Sequence, residues 1–263
     1  MAHNRDKYET RTVQHERQAA KGATTMPDFD SARRETIRYH DELYSNVELG
    51  EKGTWLERPH RLIFDALHLL PNNRPVIAYD LGAGVGRHVV PMLKHLPDGS
   101  HVYAIDLLDT AVQQLETLAP TSGTTRLHAH QQDLTSVEFV SDVDLIFAFS
   151  AIEHLPSVTA VRQLLTKARI SLREGGVIAL GVIVDRYEID SAGKPRPALI
   201  ESGLSSRDVN EILTDTLHEL RPVTTNAGRA EIDEERDGES YTLASTLITY
   251  IGRLDREPHR RPR

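Results

Sequence analysis

The sequence predicts an α/β fold built on a mostly parallel sheet with helices on both faces, and three observations support this prediction. Strand-like apolar runs alternate with helix-like segments through the middle of the chain. A glycine-rich turn joins the first of these strands to a helix. Residues 177–184 are almost purely apolar, as expected for a strand that is buried on both faces of a parallel sheet.

The composition divides the chain into three segments. Residues 1–30 are polar and lack periodic apolar positions, so we expect a flexible tail. Residues 31–253 are expected to form a single domain, in which residues 31–74 are a helical cap. Residues 254–263 carry arginines and prolines, and we expect a disordered basic tail.

The remaining elements are predicted in chain order from periodicity, breakers and caps. Residues 136–142 are too few for a long helix between the third and fourth strands, so one face of the sheet is expected to be thinly covered there. Residues 185–205 contain proline and glycine and are interpreted as a functional loop. The other predicted elements are helices over 31–46, 59–70, 111–118 and 158–172, a helix capped by Ser205 or Ser206 that reaches Leu220, and a hairpin over 229–251 that turns at Asp237-Gly238.

Charge and composition restrict the class of protein. The chain of 263 residues has 31 Lys plus Arg against 39 Asp plus Glu, a formal charge of −8, so nucleic acid is an unlikely partner. With no cysteine, a disulfide framework and a thiolate zinc site are impossible. No apolar run is long enough for a membrane span and no signal peptide is visible, so we expect a cytoplasmic protein without a membrane partner, as a monomer or homodimer.

The turn after the first strand carries the strongest functional signal. It contains Asp80, Gly82, Gly84 and Gly86, followed by Arg87. Glycines are needed where backbone takes positive φ or approaches a ligand closely. A dinucleotide fingerprint has the spacing G-x-G-x-x-G, which would require glycine where Arg87 stands. The spacing therefore favours another nucleotide-type ligand.

Acidic residues also close the next two strands. Asp106 ends the strand over 101–105, 26 residues after Asp80, and a carboxylate there can accept hydrogen bonds from both ribose hydroxyls of a nucleoside. Asp133 follows the more polar third strand, and the apolar run 143–149 forms the fourth. Acidic or small residues at successive strand ends predict a ligand across the carboxyl edge of the sheet.

The pattern Asp-x-Gly-x-Gly-x-Gly resembles the class I S-adenosylmethionine-dependent methyltransferases. The subgroup that it resembles most is the small bacterial tellurite-resistance type, over about residues 39–253. This resemblance implies a Rossmann-like, seven-stranded sheet whose last strand is antiparallel, with S-adenosyl-L-methionine as cofactor and S-adenosyl-L-homocysteine as product. It also implies no metal and places the cofactor on Asp80, Gly82, Gly84, Gly86, Asp106, Leu107, Asp133, Leu134 and Phe149.

The acceptor side of the site is less marked. His154, in the run after the fourth strand, is a candidate general base, although the same run can serve loop geometry alone. Aromatic residues in the cap and two residues beyond the fifth strand are candidate substrate contacts, and packing is the competing explanation for the aromatic ones. These residues are Tyr39, Tyr44, Trp55, Arg186 and Tyr187.

Methyl transfer from a sulfonium needs mainly alignment and exclusion of water, so the sequence reveals the donor more clearly than the acceptor. The expected function is methyl transfer to a small-molecule acceptor. Absence of cysteine excludes the thiolate-adduct route of cytosine-C5 enzymes. An RNA or protein methyltransferase and a non-catalytic cofactor-binding regulator remain alternatives.

Overall fold

The computed structural model describes residues 29–118, 126–236 and 238–255. Their centre is one sheet whose strands lie in the order β3-β2-β1-β4-β5-β8-β7, with the short β6 paired to β5 outside this row. The strands are β1 (Ile77–Leu81), β2 (His101–Asp106), β3 (Arg126–Gln131), β4 (Val143–Phe149), β5 (Leu172–Asp190), β6 (Pro195–Pro197), β7 (Leu220–Arg236) and β8 (Glu239–Leu254).

Helices cover both faces of this sheet. They are α1 (Phe29–Asn46), α2 (Arg61–Leu67), α3 (Val89–His95), α4 (Asp109–Thr117), α5 (Val158–Ser171) and α6 (Ser206–Asp215), with 3₁₀ turns at Leu134–Ser136 and Ile152–His154. Apolar residues of α2, α3 and α4 join one core cluster, and those of α5 and α6 join another. Because side chains alternate along a strand, Ala78 enters the first cluster and Tyr79 the second.

The predicted fold class is confirmed. Strands β1 to β5 pair in parallel, and β8 pairs antiparallel with both β5 and β7. The last strand is thus the antiparallel one, as the resemblance implied. The short β6 makes eight strands in the described residues rather than seven.

The predicted loop over 185–205 is wrong in its first part. Strand β5 continues to Asp190 across a bulge between Val184 and Tyr187, where Asp185 has φ 51°. The reason is non-local, since residues 187–190 find backbone partners on β8 and β6. Two helix ends also differ from the prediction, because α2 is shorter than residues 59–70 and α6 ends at Asp215 rather than Leu220.

The short third crossover is confirmed, and aromatic rings occupy the face that it leaves thinly covered. Tyr79 and Tyr103 stack with their ring centroids 4.7 Å apart, and Phe139 packs edge-on against Tyr79 at 5.0 Å. The Tyr79 hydroxyl also accepts a hydrogen bond of 3.2 Å from the Val140 amide. Side chains of the connection therefore replace a helix here.

The two predicted tails lie almost wholly outside the described residues, so the division into tails and one domain stays a prediction. No helix among the described residues is long and apolar enough to cross a membrane.

Candidate active site

A cleft opens at the carboxyl ends of β1, β2 and β4. This is the edge at which doubly wound sheets bind ligands, at the point where the strand order reverses between β1 and β4. Helix α1 lies over the cleft and contributes to its wall. Predicted residues from both ends of the site line it together: Tyr44, Gly82, Asp106, Leu107, Asp133, Leu134 and His154.

The glycine turn leaves no room for side chains. Gly82 has φ 71° and a Cβ there would lie 2.5 Å from the Ala151 Cβ. Gly84 has φ 52° and its Cβ would lie 2.6 Å from Tyr44 Oη. A Cβ on Gly86 would lie 2.3 Å from the Leu118 side chain, so this third glycine permits packing against α4 rather than ligand approach.

Asp80 lies beneath the turn, buried to 1% exposure. Its Oδ2 has no hydrogen-bond partner among the described residues. Burial raises the pKa of Asp80 to about 8, and nearby Arg87 only partly opposes this. Arg87 is stacked between Trp55, at 5.0 Å, and Phe149, at 5.4 Å, and its Nε also has no partner in the described part of the chain. The buried carboxyl and the buried guanidinium therefore each have one polar atom without a partner among the described residues.

Asp106 holds the turn from the neighbouring strand. Its Oδ2 accepts a hydrogen bond of 2.7 Å from the Gly84 amide, and its Oδ1 accepts one of 3.0 Å from the Leu108 amide. Asp106 is also one of the residues that line the cleft, where a carboxylate can accept further hydrogen bonds. Burial raises the pKa of Asp106, although these amides work in the opposite direction.

Asp133 caps the 3₁₀ turn after β3, where its Oδ1 accepts a hydrogen bond of 2.8 Å from the Thr135 amide. Its Oδ2 pairs with the guanidinium of Arg33, which comes from α1. Burial alone would raise the pKa of Asp133, but the hydrogen bonds from Thr135 and the charge of Arg33 outweigh it and lower the pKa. Asp133 therefore fastens α1 to the sheet at this end of the cleft.

At the other end, His154 and Glu201 form a pair. His154 Nδ1 lies 3.1 Å from Glu201 Oε1, and the side chain of Glu201 is 2% exposed. Burial alone would raise the pKa of Glu201, but the hydrogen bond and charge of His154 lower it to about 2. His40 of α1 packs edge-on against His154, with their ring centroids 6.1 Å apart.

Comparison with known proteins agrees with this geometry. Residues 78–176 match a family model described as a methyltransferase domain. This segment of the chain is a methyltransferase domain. The matched residues include the glycine turn, the Asp106 and Asp133 strand ends and the His154 turn. The part of the chain that carries the predicted cofactor residues is thus the part that matches a methyltransferase domain.

Solved structures show the same fold at low sequence identity. The N-methyltransferase NodS from Bradyrhizobium japonicum WM9, in complex with S-adenosylhomocysteine, is 13% identical with a TM-score of 0.51, covering 84% of this chain and 99% of that one. The 1,6-didemethyltoxoflavin N1-methyltransferase from Burkholderia thailandensis is 15% identical with a TM-score of 0.53, covering 89% and 94%. TehB from Haemophilus influenzae is 14% identical with a TM-score of 0.54, covering 82% and 67%.

A search of curated proteins gave no match. The nearer resemblance to the tellurite-resistance type therefore stays a prediction.

The aromatic residues of the N-terminal cap form one cluster. Tyr44 is buried against the glycine turn, and its ring lies 6.2 Å from that of Trp55. Trp55 is 39% exposed, and Tyr39, at 38%, packs edge-on against His40. Of the predicted cap residues, only Tyr44 lines the cleft itself.

Eight predicted residues are not part of the cleft lining: Tyr39, Trp55, Asp80, Gly84, Gly86, Phe149, Arg186 and Tyr187. Phe149 packs on His60 at 4.5 Å and fills the space above Gly181, so the chain presents Ser150 to the cleft instead. Tyr187 belongs to the extension of β5 and accepts a hydrogen bond of 3.0 Å from Arg229. Arg186 lies in the bulge beside it. The expectation that residues 186 and 187 face the cleft is not met, because the bulge turns them into the extended sheet.

Three cleft residues with ionisable side chains were not predicted from the sequence: Arg33, His40 and Glu201. His40 had a signal, since it stands one helical turn before Tyr44 on α1. Glu201 had none, because it lies 47 residues after its partner His154.

Proposed function

We propose that this methyltransferase transfers a methyl group from S-adenosylmethionine to a small molecule bound between α1 and the turn after β4. The observation that supports it most is the single cleft in which ribose-type acceptors on Asp106 and a histidine–carboxylate pair occur together. The same cleft thus contains residues suited to the methyl donor and residues suited to the acceptor.

The residues of the cleft fit S-adenosylmethionine. The carboxylate of Asp106 suits two ribose hydroxyls, and Leu107 and Leu134 supply apolar surface for a flat base. Asp80 Oδ2 and Arg87 Nε are buried outside the lining of the cleft and have no partner among the described residues, so they suit the ammonium and carboxylate of an amino acid. When bound, this cofactor supplies an electrophilic methyl group on sulfur.

The acceptor end favours a small molecule. Helix α1 lies over the cleft and is tied to the sheet by the Arg33–Asp133 ion pair, so a bulky polymer would have to displace it. The formal charge of −8 gives little attraction for nucleic acid. NodS and the toxoflavin enzyme are N-methyltransferases by name, and the latter was crystallised with 1,6-didemethyltoxoflavin. His154 lies where it can accept a proton from such an acceptor.

The test is incubation with isotope-labelled S-adenosylmethionine and a size-fractionated cell extract, followed by mass identification of the methylated product. We expect the label in the small-molecule fraction. Label in RNA or protein would overturn the acceptor class. S-adenosylhomocysteine binding in a calorimeter, with no labelled product in any fraction, would instead indicate a regulator.

The cofactor side is tested separately with Asp106→Asn. The amide cannot satisfy Gly84 and Leu108 as the carboxylate does, so we expect about 10- to 100-fold weaker S-adenosylhomocysteine binding, from the loss of a charge-assisted hydrogen bond worth about 1.5–3 kcal/mol. Asp98→Asn is the matched control, because Asp98 lies exposed in a turn outside the cleft. Equal affinity in both variants would show that Asp106 does not hold the ligand.

A further inference from the structure

Two histidine rings meet at the acceptor end of the cleft. His40 comes from α1 and His154 from the 3₁₀ turn after β4, and both side chains line the cleft. Their ring centroids are 6.1 Å apart, and the ring of Tyr44 lies 5.7 Å from that of His40. The proposed contacts of the methyl donor with Asp80 and Asp106 do not involve these two rings.

Hydrogen bonds fix the tautomer of each ring. His40 Nδ1 lies 2.8 Å from the Thr36 carbonyl oxygen, which only accepts, so this nitrogen carries the proton. His154 Nδ1 lies 3.1 Å from Glu201 Oε1, and the pKa of Glu201 stays near 2 because the hydrogen bond from His154 outweighs the effect of burial, so that carboxylate also only accepts. Each ring therefore donates through Nδ1, and no described residue makes a hydrogen bond to its Nε2.

The two rings differ in the group that each contacts through Nδ1. A carboxylate faces His154 and stabilises the imidazolium that forms when its Nε2 takes a proton. His40 has only a backbone carbonyl behind it, and burial, followed by the charge of His154, lowers the pKa of His40 to about 4. His40 therefore stays neutral and can only accept a hydrogen bond.

We infer that this pair selects an uncharged acceptor with two hydrogen-bond donors on nearby atoms, a nucleophilic O–H or N–H that faces His154 and a second donor that faces His40. This inference rests on the proposed function and names the substrate class of that same site. Anionic acceptors are disfavoured, because the carboxylates of Glu201 and Asp106 line the same cleft. Glu201 is a positioning residue, since it acts only through His154.

The transfer balances on these residues. A lone pair of the acceptor oxygen or nitrogen forms the bond to the methyl carbon, and the carbon–sulfur bond breaks with its electron pair going to sulfur. The proton of the acceptor goes to His154 Nε2, which returns it to water after the product leaves. No oxidant, reductant or metal is required.

The first test needs neither acceptor nor donor. Long-range ¹⁵N–¹H spectra of the wild-type protein at pH 7, assigned with His40→Phe and His154→Phe, report which nitrogen of each ring is protonated. We expect both rings as the Nδ1–H tautomer. An Nε2–H tautomer on either ring in the wild-type protein would overturn the inference whatever the activity of the enzyme.

The second test uses the acceptor found in the labelled extract. We expect His154→Phe to lower kcat by about 100-fold or more, the usual contribution of a general base. His40→Phe is expected to raise KM about tenfold with a smaller change in kcat, because it loses one hydrogen bond to the acceptor. Glu201→Gln is expected to lower kcat about tenfold at unchanged KM. His218→Gln is the control, since His218 is exposed beyond α6.

Folding of each variant is checked by its affinity for S-adenosylhomocysteine, which should stay within about threefold of wild type. A methylated product with a single donor, or with a carboxylate or phosphate at the methylated position, would refute the substrate class while leaving the proposed function intact. A methylated RNA or protein would refute the proposed function, and the tautomer spectra would still decide the geometry of the pair.

Discussion

Asp80→Asn is expected to have opposite effects on the stability of the ligand-free protein and on its affinity for the ligand. Asp80 is 1% exposed, its Oδ2 has no partner among the described residues, and burial raises its pKa to about 8. The unfolded chain ionises this group near its ordinary value of 3.8. Between these two values the folded protein holds a proton that the unfolded chain has lost, so stability falls as pH rises through this window.

The magnitude follows from the same two values. Each pH unit above 3.8 lowers the free energy of unfolding by about 1.4 kcal/mol until the folded-state pKa is reached, so the carboxyl costs about 4 kcal/mol at pH 7. The asparagine amide removes this dependence but stays buried without a full set of partners, which costs about 1–2 kcal/mol. We therefore expect Asp80→Asn to stabilise the ligand-free protein by about 2 kcal/mol at pH 7 and to destabilise it by about 1 kcal/mol at pH 4, where the carboxyl costs little and the cost of the buried amide remains.

Thermal unfolding followed across pH 4–8 measures the effect. For a chain of this size, about 2 kcal/mol corresponds to a rise in Tm of about 4–8 °C at pH 7. The same variant should bind S-adenosylhomocysteine at least about tenfold more weakly, because its ammonium loses a charged partner. A difference in Tm that does not change with pH, or a variant less stable than wild type at pH 8, would refute the reasoning.

Two further substitutions test the site and the sheet extension. Gly84→Ala is expected to destabilise the protein by about 2–3 kcal/mol, because φ is 52° and the new methyl would lie 2.6 Å from Tyr44 Oη. In the double variant Gly84→Ala with Tyr44→Phe, urea unfolding should show that about 1 kcal/mol of this loss is recovered. No recovery would mean that the contact with Tyr44 Oη is not the cause. Burial would raise the pKa of Glu188, but hydrogen bonds from Arg236 and Arg196 outweigh it and lower the pKa, so this carboxylate stabilises the fold above about pH 4.5 and less as pH falls. Glu188→Gln should lower the free energy of unfolding by about 1–2 kcal/mol at pH 7 and less at pH 3, because both arginines reach solvent; an unchanged urea midpoint at pH 7 would contradict this.

The donor end of the cleft could be predicted because its signals are local. Asp80, Gly82 and Gly84 stand within five positions, and Asp106 closes the next strand one βα unit later. A strand end followed by a tight turn has few conformations, so residue type there indicates geometry directly. The thin third crossover was predictable for the same reason, since the seven residues over 136–142 are too few for a long helix.

The extended part of the sheet could not be predicted in this way. Proline and glycine in residues 185–205 indicated a loop, but residues 187–190 pair with β8, whose strand lies more than fifty positions later. Strand formation there depends on that partner rather than on local propensity. The direction of Tyr187 follows from the bulge, which leaves no mark in the residue types around it.

The acceptor end depends on contacts between distant segments. His40 is held by its own helix, through the Thr36 carbonyl, and its pattern was visible as one turn of α1. His154 gains its carboxylate only when the segment after β6 returns to the cleft, where the Ser202 hydroxyl donates a 2.8 Å hydrogen bond to the Glu153 carbonyl. An insertion or deletion of one residue in that segment would move Glu201 away from His154 and leave the glycine turn intact. Donor binding and acceptor choice are therefore built on separate parts of the chain, and substitutions around Glu201 should change the acceptor without weakening S-adenosylhomocysteine binding.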